Sequence, residues 1–181
     1  MRLHKIEGFV IKRNNFNEAD RILTVFTKQS GKVRIKATGV RRIASRRSPH
    51  IELLNLSLLT IYQGKNIPTL IEAETIESFS DIKKNLKKMG FAYHICELID
   101  KLCAENQENR GVFNLLMDIL TKLAKEDNIE ATIDKFEINL LSLLGFYTSS
   151  QSLIPAFNMS TFIENITERK LRSRQFLSKF L

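Results

Sequence analysis

The amino-acid sequence predicts an α+β fold of two domains, a small β-barrel followed by an all-helical domain. Three observations support this prediction. The first 80 residues show the two-residue period of strands, the later residues show the period of helices, and most of the excess positive charge precedes the change. The predicted domains are therefore residues 1–79 and 80–181.

Five segments of the first domain alternate apolar and polar residues, and each is bounded by Gly, Pro, Asn, Asp or Ser. The predicted strands are residues 5–13, 21–27, 32–38, 56–62 and 69–77. Five short strands joined by turns are typical of a small closed barrel.

Three helices are predicted next, over residues 91–105, 111–126 and 129–146. The third has a capping candidate in Asn128 and ends near Gly145. Cys96 and Cys103 lie on or beside the apolar stripe of the first helix, so we interpret them as core residues and predict no disulfide or metal site.

The end of the chain has a different pattern. Residues 148–158 are rich in Ser and contain Pro155, which indicates a loop or linker. Residues 160–180 then predict a C-terminal helix whose aromatic residues would dock it, with Ser160 or Thr161 near its start. We interpret Arg172 and Arg174 in this helix as stabilising its surface or its C-terminal end.

The charge distribution suggests a polyanionic partner. The net charge is +8, and residues 1–80 carry 14 Lys and Arg against 7 Asp and Glu, whereas residues 81–181 carry 14 against 13. No carboxylate lies between Asp20 and Glu52. Eight cations in this acid-free run are the candidate DNA-binding residues: Arg21, Lys32, Arg34, Lys36, Arg41, Arg42, Arg46 and Arg47.

Alternation in the predicted third strand places three of these cations on one face. The apolar residues Val33, Ile35 and Ala37 would face the core, and three cations would project outward together: Lys32, Arg34 and Lys36. The loop that follows begins at Gly39 and would carry four arginines beside that face. Arg46 and Arg47 are equally well explained as solvated loop charges.

Aromatic side chains could add base stacking to such a charged surface. Four are available in the first domain: Phe9, Phe16, Phe26 and Tyr62. The face of Phe9 is ambiguous and Phe26 is expected in the core, so the electrostatic part of the prediction is the stronger one.

No catalytic constellation emerges from the sequence. There is no Gly-rich phosphate loop and no serine nucleophile motif, and the three histidines are not spaced to share one helical face. We interpret NEADR as a polar turn in which Glu18 or Asp20 pairs with Arg21. A chain without a signal peptide or an apolar run that could cross a bilayer is expected in the cytoplasm, associated with the nucleoid, and not at a membrane.

The run EADRILTVFTKQSGKVRIKATGVRRIASR resembles the N-terminal signature of the RecO family of recombination mediators. Two shorter segments resemble later family motifs in the expected order, KFEINLLSLLGFY and KLRSRQFLSKFL. The resemblance implies an oligonucleotide-binding (OB) fold barrel followed by a helical domain. It carries the family's basic strand and loop onto five residues of the candidate set: Lys32, Arg34, Lys36, Arg41 and Arg42.

The resemblance also implies a function and partners. Such proteins bind single- and double-stranded DNA, anneal complementary strands, and act with RecR to load the RecA recombinase onto DNA coated by single-stranded DNA-binding protein. Lys135 stands at the position of a basic family residue that could meet the acidic C-terminal tail of that coating protein. No cofactor and no enzymatic activity are implied.

The sequence departs from the family pattern after Tyr147. Many members carry a four-cysteine zinc module there, whereas residues 148–158 contain no cysteine, so a short member without that module is expected. Two other functional classes stay open on the residues alone. One is a protein-binding adaptor whose basic patch meets an acidic partner, and the other is a metal-dependent nuclease, for which no carboxylate cluster can be assembled.

Overall fold

The structure is a computed structural model that describes residues 2–64, 66–126, 129–148 and 158–177. It divides into two compact units. The barrel unit contains residues 1–79 and 103–113, and the helical unit contains residues 80–102 and 114–181. Residues 103–113 therefore belong to the barrel unit although they follow the first long helix.

The barrel unit is built from five strands in a closed barrel of order β1-β2-β3-β5-β4. Their bounds are Arg2–Phe16 (β1), Asp20–Thr27 (β2), Gly31–Ala37 (β3), Leu56–Gln63 (β4) and Thr69–Glu77 (β5). All pairs are antiparallel except β3 with β5, which meet at Lys36 and Thr69. The predicted five-stranded barrel is confirmed, with β1 longer than expected.

The barrel interior is filled by aliphatic side chains that alternate along each strand. Leu23, Val25, Ile35 and Ala37 are fully buried in this core. Because Ile35 and Ala37 point inward, Arg34 and Lys36 of the same strand point outward, as the alternation predicts.

Residues 103–113 pass closely over the outside of the barrel. Asn106 donates its amide hydrogen to the carbonyl of Lys32, at 2.8 Å, and Phe113 packs on Phe9 with ring centroids 5.2 Å apart. At Gly31, which has a φ of +61°, an added Cβ would lie only 1.8 Å from the Gln107 carbonyl oxygen. Glycine is required here for both conformation and space.

Six α-helices and a 3₁₀ helix, Ser48–Ile51, complete the described fold. The α-helices are Ser80–Lys83 (α1), Leu86–Leu102 (α2), Arg110–Lys125 (α3), Ile129–Leu143 (α4), Met159–Thr167 (α5) and Arg172–Leu177 (α6). Among the described residues, no helix has the length and apolar composition that crossing a membrane requires. Cys96 and Cys103 are buried and free, and burial raises their thiol pKa values to about 12 and about 11.

Local chemistry explains several helix ends. Asn109 caps α3 by accepting the amide hydrogen of Val112, and α4 ends before Gly145, whose φ is +77°. The other predicted cap, Asn128, lies outside the described residues. Helix α5 is capped by Asn158, which precedes the predicted caps and accepts the Thr161 amide hydrogen.

The prediction of one continuous C-terminal helix over residues 160–180 is wrong. Helix α5 ends at Thr167, and Glu168 adopts a left-handed conformation with φ 51° that no α-helix can continue through. The Leu171 amide then donates to the Glu164 carboxylate, and α6 begins at Arg172. Residues 149–157 and 178–181 lie outside the described residues.

A buried polar network holds α6 against α2 and α4 within the helical unit. His94 on α2 contacts Glu137 on α4 through Nε2 at 2.7 Å and Ser173 on α6 through Nδ1 at 2.8 Å. Arg174 donates to both oxygens of Glu137, at 2.9 and 3.2 Å. Since His94 and Glu137 are almost fully buried, these bonds offset a large desolvation penalty.

Glu97 extends this network to the start of α6. Its carboxylate accepts hydrogen bonds from the Arg172 amide and from both the amide and the hydroxyl of Ser173, and it pairs with Lys101. Partial burial would by itself raise the pKa of Glu97, but the bonds from Ser173, Lys101 and Arg172 outweigh it and lower the pKa to about 2.

We expect Gly31→Ala to destabilise the barrel unit by at least about 2–4 kcal/mol, because it combines positive-φ strain with a backbone clash. Gly39→Ala is the matched control: its φ is +69°, but the nearest atom to an added Cβ is 4.0 Å away. The control should cost only about 1–2 kcal/mol. Urea unfolding measures both, and equal losses would contradict the role of the Gln107 contact.

Glu97→Gln should lower the free energy of unfolding by about 1–3 kcal/mol at pH 7, because the network loses a charged acceptor. A folded pKa of about 2, against an ordinary 4.5, means that the ionised Glu97 stabilises above pH 4.5 and that this contribution disappears as pH falls toward 2. The difference in free energy of unfolding between wild type and Glu97→Gln should therefore shrink as the pH falls from 4.5 toward 2. Denaturation at several pH values measures this difference.

Glu130→Gln is the control for this measurement. The Glu130 side chain is 57% exposed and pairs with Lys87, so its loss should cost less than about 1 kcal/mol. A difference between wild type and Glu97→Gln that stays constant from pH 7 to pH 3 would show that the charge of Glu97 contributes nothing.

Candidate nucleic-acid interface

The outward face of β3 presents two of the predicted cations. Arg34 is exposed and the Lys36 side chain is 36% exposed, with the buried Ile35 between them. Lys36 extends over the ring of Phe16, with Nζ 5.4 Å from the ring centroid. The strand thus holds two positive charges on one side of a rigid barrel.

A third exposed cation joins this face from β1. Lys12 pairs with Thr24 of β2, and Thr24 pairs with Arg34, so the three residues form one row across three strands. Two strand spacings separate Lys12 from Arg34, roughly 10 Å. The sequence prediction missed Lys12, because only the lateral register of the strands brings it beside β3.

The loop after β3 is fastened at its start by Asp20. The Gly39 amide donates to the Asp20 carboxylate at 2.8 Å, and the Arg41 amide donates to the Ala19 carbonyl at 3.0 Å. The Arg41 guanidinium donates to the Asn17 carbonyl at 3.1 Å. These three hydrogen bonds therefore place this part of the loop next to the turn between β1 and β2.

Arg41 and the neighbouring Arg42 are both exposed. Together with the exposed cations of β1 and β3 they define a surface that we call the basic track: Lys12, Arg34, Lys36, Arg41 and Arg42. Of the two carboxylates expected to pair with Arg21, Glu18 or Asp20, Asp20 pairs instead with Lys36 at 3.4 Å.

Lys32 shares the outer face of β3 with Arg34 and Lys36, but unlike them it is buried. It is only 7% exposed, because Glu105 and Asn106 lie along this end of β3 and form a bridge with it. The side chain thus lies on the outer face of the strand but beneath a chain segment distant in sequence.

Arg21 is half-buried and shares the inward face of β2 with Leu23. It lies at one end of the barrel, where desolvation, followed by repulsion from Arg13, lowers the pKa of its guanidinium. The structure therefore does not bring Arg21 into the basic track.

The last two predicted arginines have separate surroundings. Arg47 donates to the carbonyl oxygens of Leu70 and Thr38, both at 2.7 Å, and so joins the loop to the barrel. Arg46 is exposed beside a groove of about 340 Å³ over β4 and β5, whose lining includes the carboxylates Glu72 and Glu74. Neither arginine extends the basic track.

The four aromatic candidates also differ in how far they are exposed. Phe9 and Phe26 are fully buried, and Tyr62 is half-buried on β4. Phe16 is 43% exposed and lies under Lys36, so it is the aromatic ring best placed to meet a base beside the basic track.

Lys135 is exposed on α4, and the next two residues of that helix, Phe136 and Glu137, are buried. The two shorter motifs of the sequence, KFEINLLSLLGFY and KLRSRQFLSKFL, thus supply Glu137, Ser173 and Arg174 to one buried network. The sequence contained these residues, but their partnership depends on packing between helices far apart in the chain.

The basic track can neutralise phosphates, and its chemistry is electrostatic. Lysine and arginine side chains displace the counterions of a nucleic acid backbone, whatever the base sequence. In the part of the chain that the structure describes, no three His, Cys, Asp or Glu side chains gather into a group that could hold a metal ion.

Comparison with known proteins agrees with this architecture. Residues 1–79 match the family model "Recombination protein O N terminal", and residues 83–152 match "Recombination protein O C terminal". The two models together cover most of the chain.

Curated relatives are named "DNA repair protein RecO". The chain is 32% identical to that of Roseiflexus sp. (strain RS-1) over 80% of its length, 34% to that of Symbiobacterium thermophilum over 82%, and 36% to that of Acetivibrio thermocellus over 78%. It spans 51%, 59% and 57% of these relatives. With both family models matched in order on a barrel and a helical unit, the chain belongs to the RecO family.

Proposed function

We propose that this protein is a nonenzymatic mediator of DNA repair and homologous recombination that binds single- and double-stranded DNA and anneals complementary strands. The observation that carries the proposal is the basic track, five exposed or half-exposed cations on β1, β3 and one loop. Three of them lie on rigid strands of the barrel. The curated relatives are named for DNA repair, which supports the same role.

The proposed mechanism is charge neutralisation. Two complementary strands repel each other through their phosphates, and cations that replace the counterions allow them to approach. Backbone recognition of this kind does not depend on base sequence, as annealing of arbitrary strands requires. Phe16 is placed to add stacking with a base of a single strand.

The partners follow from family membership and belong to the proposal. RecR would act with this protein to load the recombinase, and the acidic tail of the single-stranded DNA-binding protein would bring it to coated DNA in the cytoplasm. Lys135 is our proposed contact for that tail, because it is an exposed cation on the rigid helix α4.

Arg34→Glu combined with Arg42→Glu should weaken DNA binding at least tenfold at low salt, to a similar extent for unrelated oligonucleotide sequences. The loss of two phosphate contacts should also flatten the dependence of log K on log salt by roughly 1.5. Fluorescence anisotropy of labelled single and double strands, at several salt concentrations, measures both.

The matched control is Lys5→Glu with Lys28→Glu, which changes the net charge equally at two exposed barrel residues outside the basic track. The control should retain most of the affinity and nearly all of the salt slope. Equal losses in the two double variants would show that net charge, and not the basic track, determines binding. No binding by wild type at low salt would refute the proposed function and favour the adaptor.

Lys135→Glu should weaken binding of a peptide with an acidic, aromatic C-terminal sequence by about fivefold or more, since an attraction becomes a repulsion. Lys125→Glu, at another exposed lysine of the helical unit, should have a much smaller effect. Peptide anisotropy measures both. DNA affinity should stay unchanged in the Lys135 variant, and equal effects of the two variants would exclude Lys135 as a specific contact.

A further inference from the structure

The acid-free run that defines the basic cations begins immediately after one carboxylate, Asp20. Asp20 is only 9% exposed, and its two oxygens have different partners. Oδ1 accepts the Gly39 amide hydrogen at 2.8 Å, and Oδ2 lies 3.4 Å from Lys36 Nζ. One side chain therefore contacts both the base of the arginine loop and a cation of the basic track.

The charge state of Asp20 is well defined. The hydrogen bond from Gly39, with further contributions from the hydrogen bond and charge of Lys36, lowers the pKa of Asp20 below its ordinary value of 3.8. Asp20 therefore carries a full negative charge at neutral pH, and the positive charge of Lys36 compensates part of it.

This pairing affects how Lys36 meets a phosphate. A lysine whose charge is already partly balanced by a carboxylate neutralises less of a phosphate's charge, so it displaces fewer of the cations condensed on the DNA. Arg34 is the other exposed cation of β3, and its neighbour on β2 is the uncharged Thr24. Two cations on one strand thus differ in how strongly they can attract DNA.

We propose that Asp20 is a positioning residue for nucleic-acid binding, which fastens the arginine loop through Gly39 and restrains the contribution of Lys36 by competing with phosphate for its ammonium group. The inference rests on the proposed DNA-binding function. It assigns Asp20 two separable actions, one through each oxygen.

Asp20→Asn separates the two actions. The amide oxygen of asparagine can still accept the Gly39 hydrogen bond, while the negative charge beside Lys36 disappears. We expect the variant to bind a single-stranded oligonucleotide about threefold or more tightly at low salt, with a salt slope steeper by about 0.7, the value for one added phosphate contact.

Glu18→Gln is the matched control. Glu18 is exposed two residues before Asp20, in the turn between β1 and β2, and its replacement changes the net charge by the same unit. Its effect on affinity should be less than half that of Asp20→Asn. In a protein that also carries Lys36→Met, Asp20→Asn should increase DNA affinity no more than Glu18→Gln does. Such coupling between positions 20 and 36 would not occur if Asp20 acted only by fastening the loop.

A second comparison leaves Asp20 in place, in case its replacement impairs folding. Arg34→Met should reduce the salt slope by about 0.7, whereas Lys36→Met should leave it nearly unchanged. Equal slopes for these two variants, or equal affinities for Asp20→Asn and Glu18→Gln, would overturn the inference. Either result would leave the proposed function intact as long as wild type binds DNA and Arg34→Glu with Arg42→Glu weakens it.

Discussion

The close passage of residues 103–113 over β3 is the constraint that decides which surface of the barrel remains available. A carbonyl oxygen at Gln107 occupies the place where a side chain at position 31 would be, so glycine is required there. The same segment buries Lys32 and completes the aromatic contact between Phe113 and Phe9. One end of β3 is thereby covered, and only its other end carries exposed cations.

The helical unit depends on a different kind of interaction, a buried group of charged and polar side chains. His94, Glu137 and Ser173 lie on three different helices, and the His94 ring is hydrogen-bonded to both of the other side chains. Such a network stabilises one packing arrangement, because removal of a single member leaves its partners buried without compensation. Residues of the two C-terminal sequence motifs thus have a structural role in the folded helical unit.

Charge in the barrel unit is organised by pairing as well as by number. Arg47 is bonded to main-chain carbonyls, and Lys36 has a carboxylate beside it, whereas Arg34 and Arg42 are exposed. A count of basic residues in the acid-free run therefore overstates the cations that meet a phosphate directly. The affinity for DNA depends on which of them have partners in the protein itself.

Local sequence patterns were enough to predict the five strands, the change to helices near residue 80 and the outward alternation of Arg34 and Lys36, because strand and helix periods are local properties of the chain. It also supported the family assignment through contiguous motifs. Long-range packing, in contrast, buries Lys32, turns Arg21 inward and adds Lys12 to the basic track. Those outcomes depend on strand register and on a returning segment about 75 residues away, which no local pattern encodes.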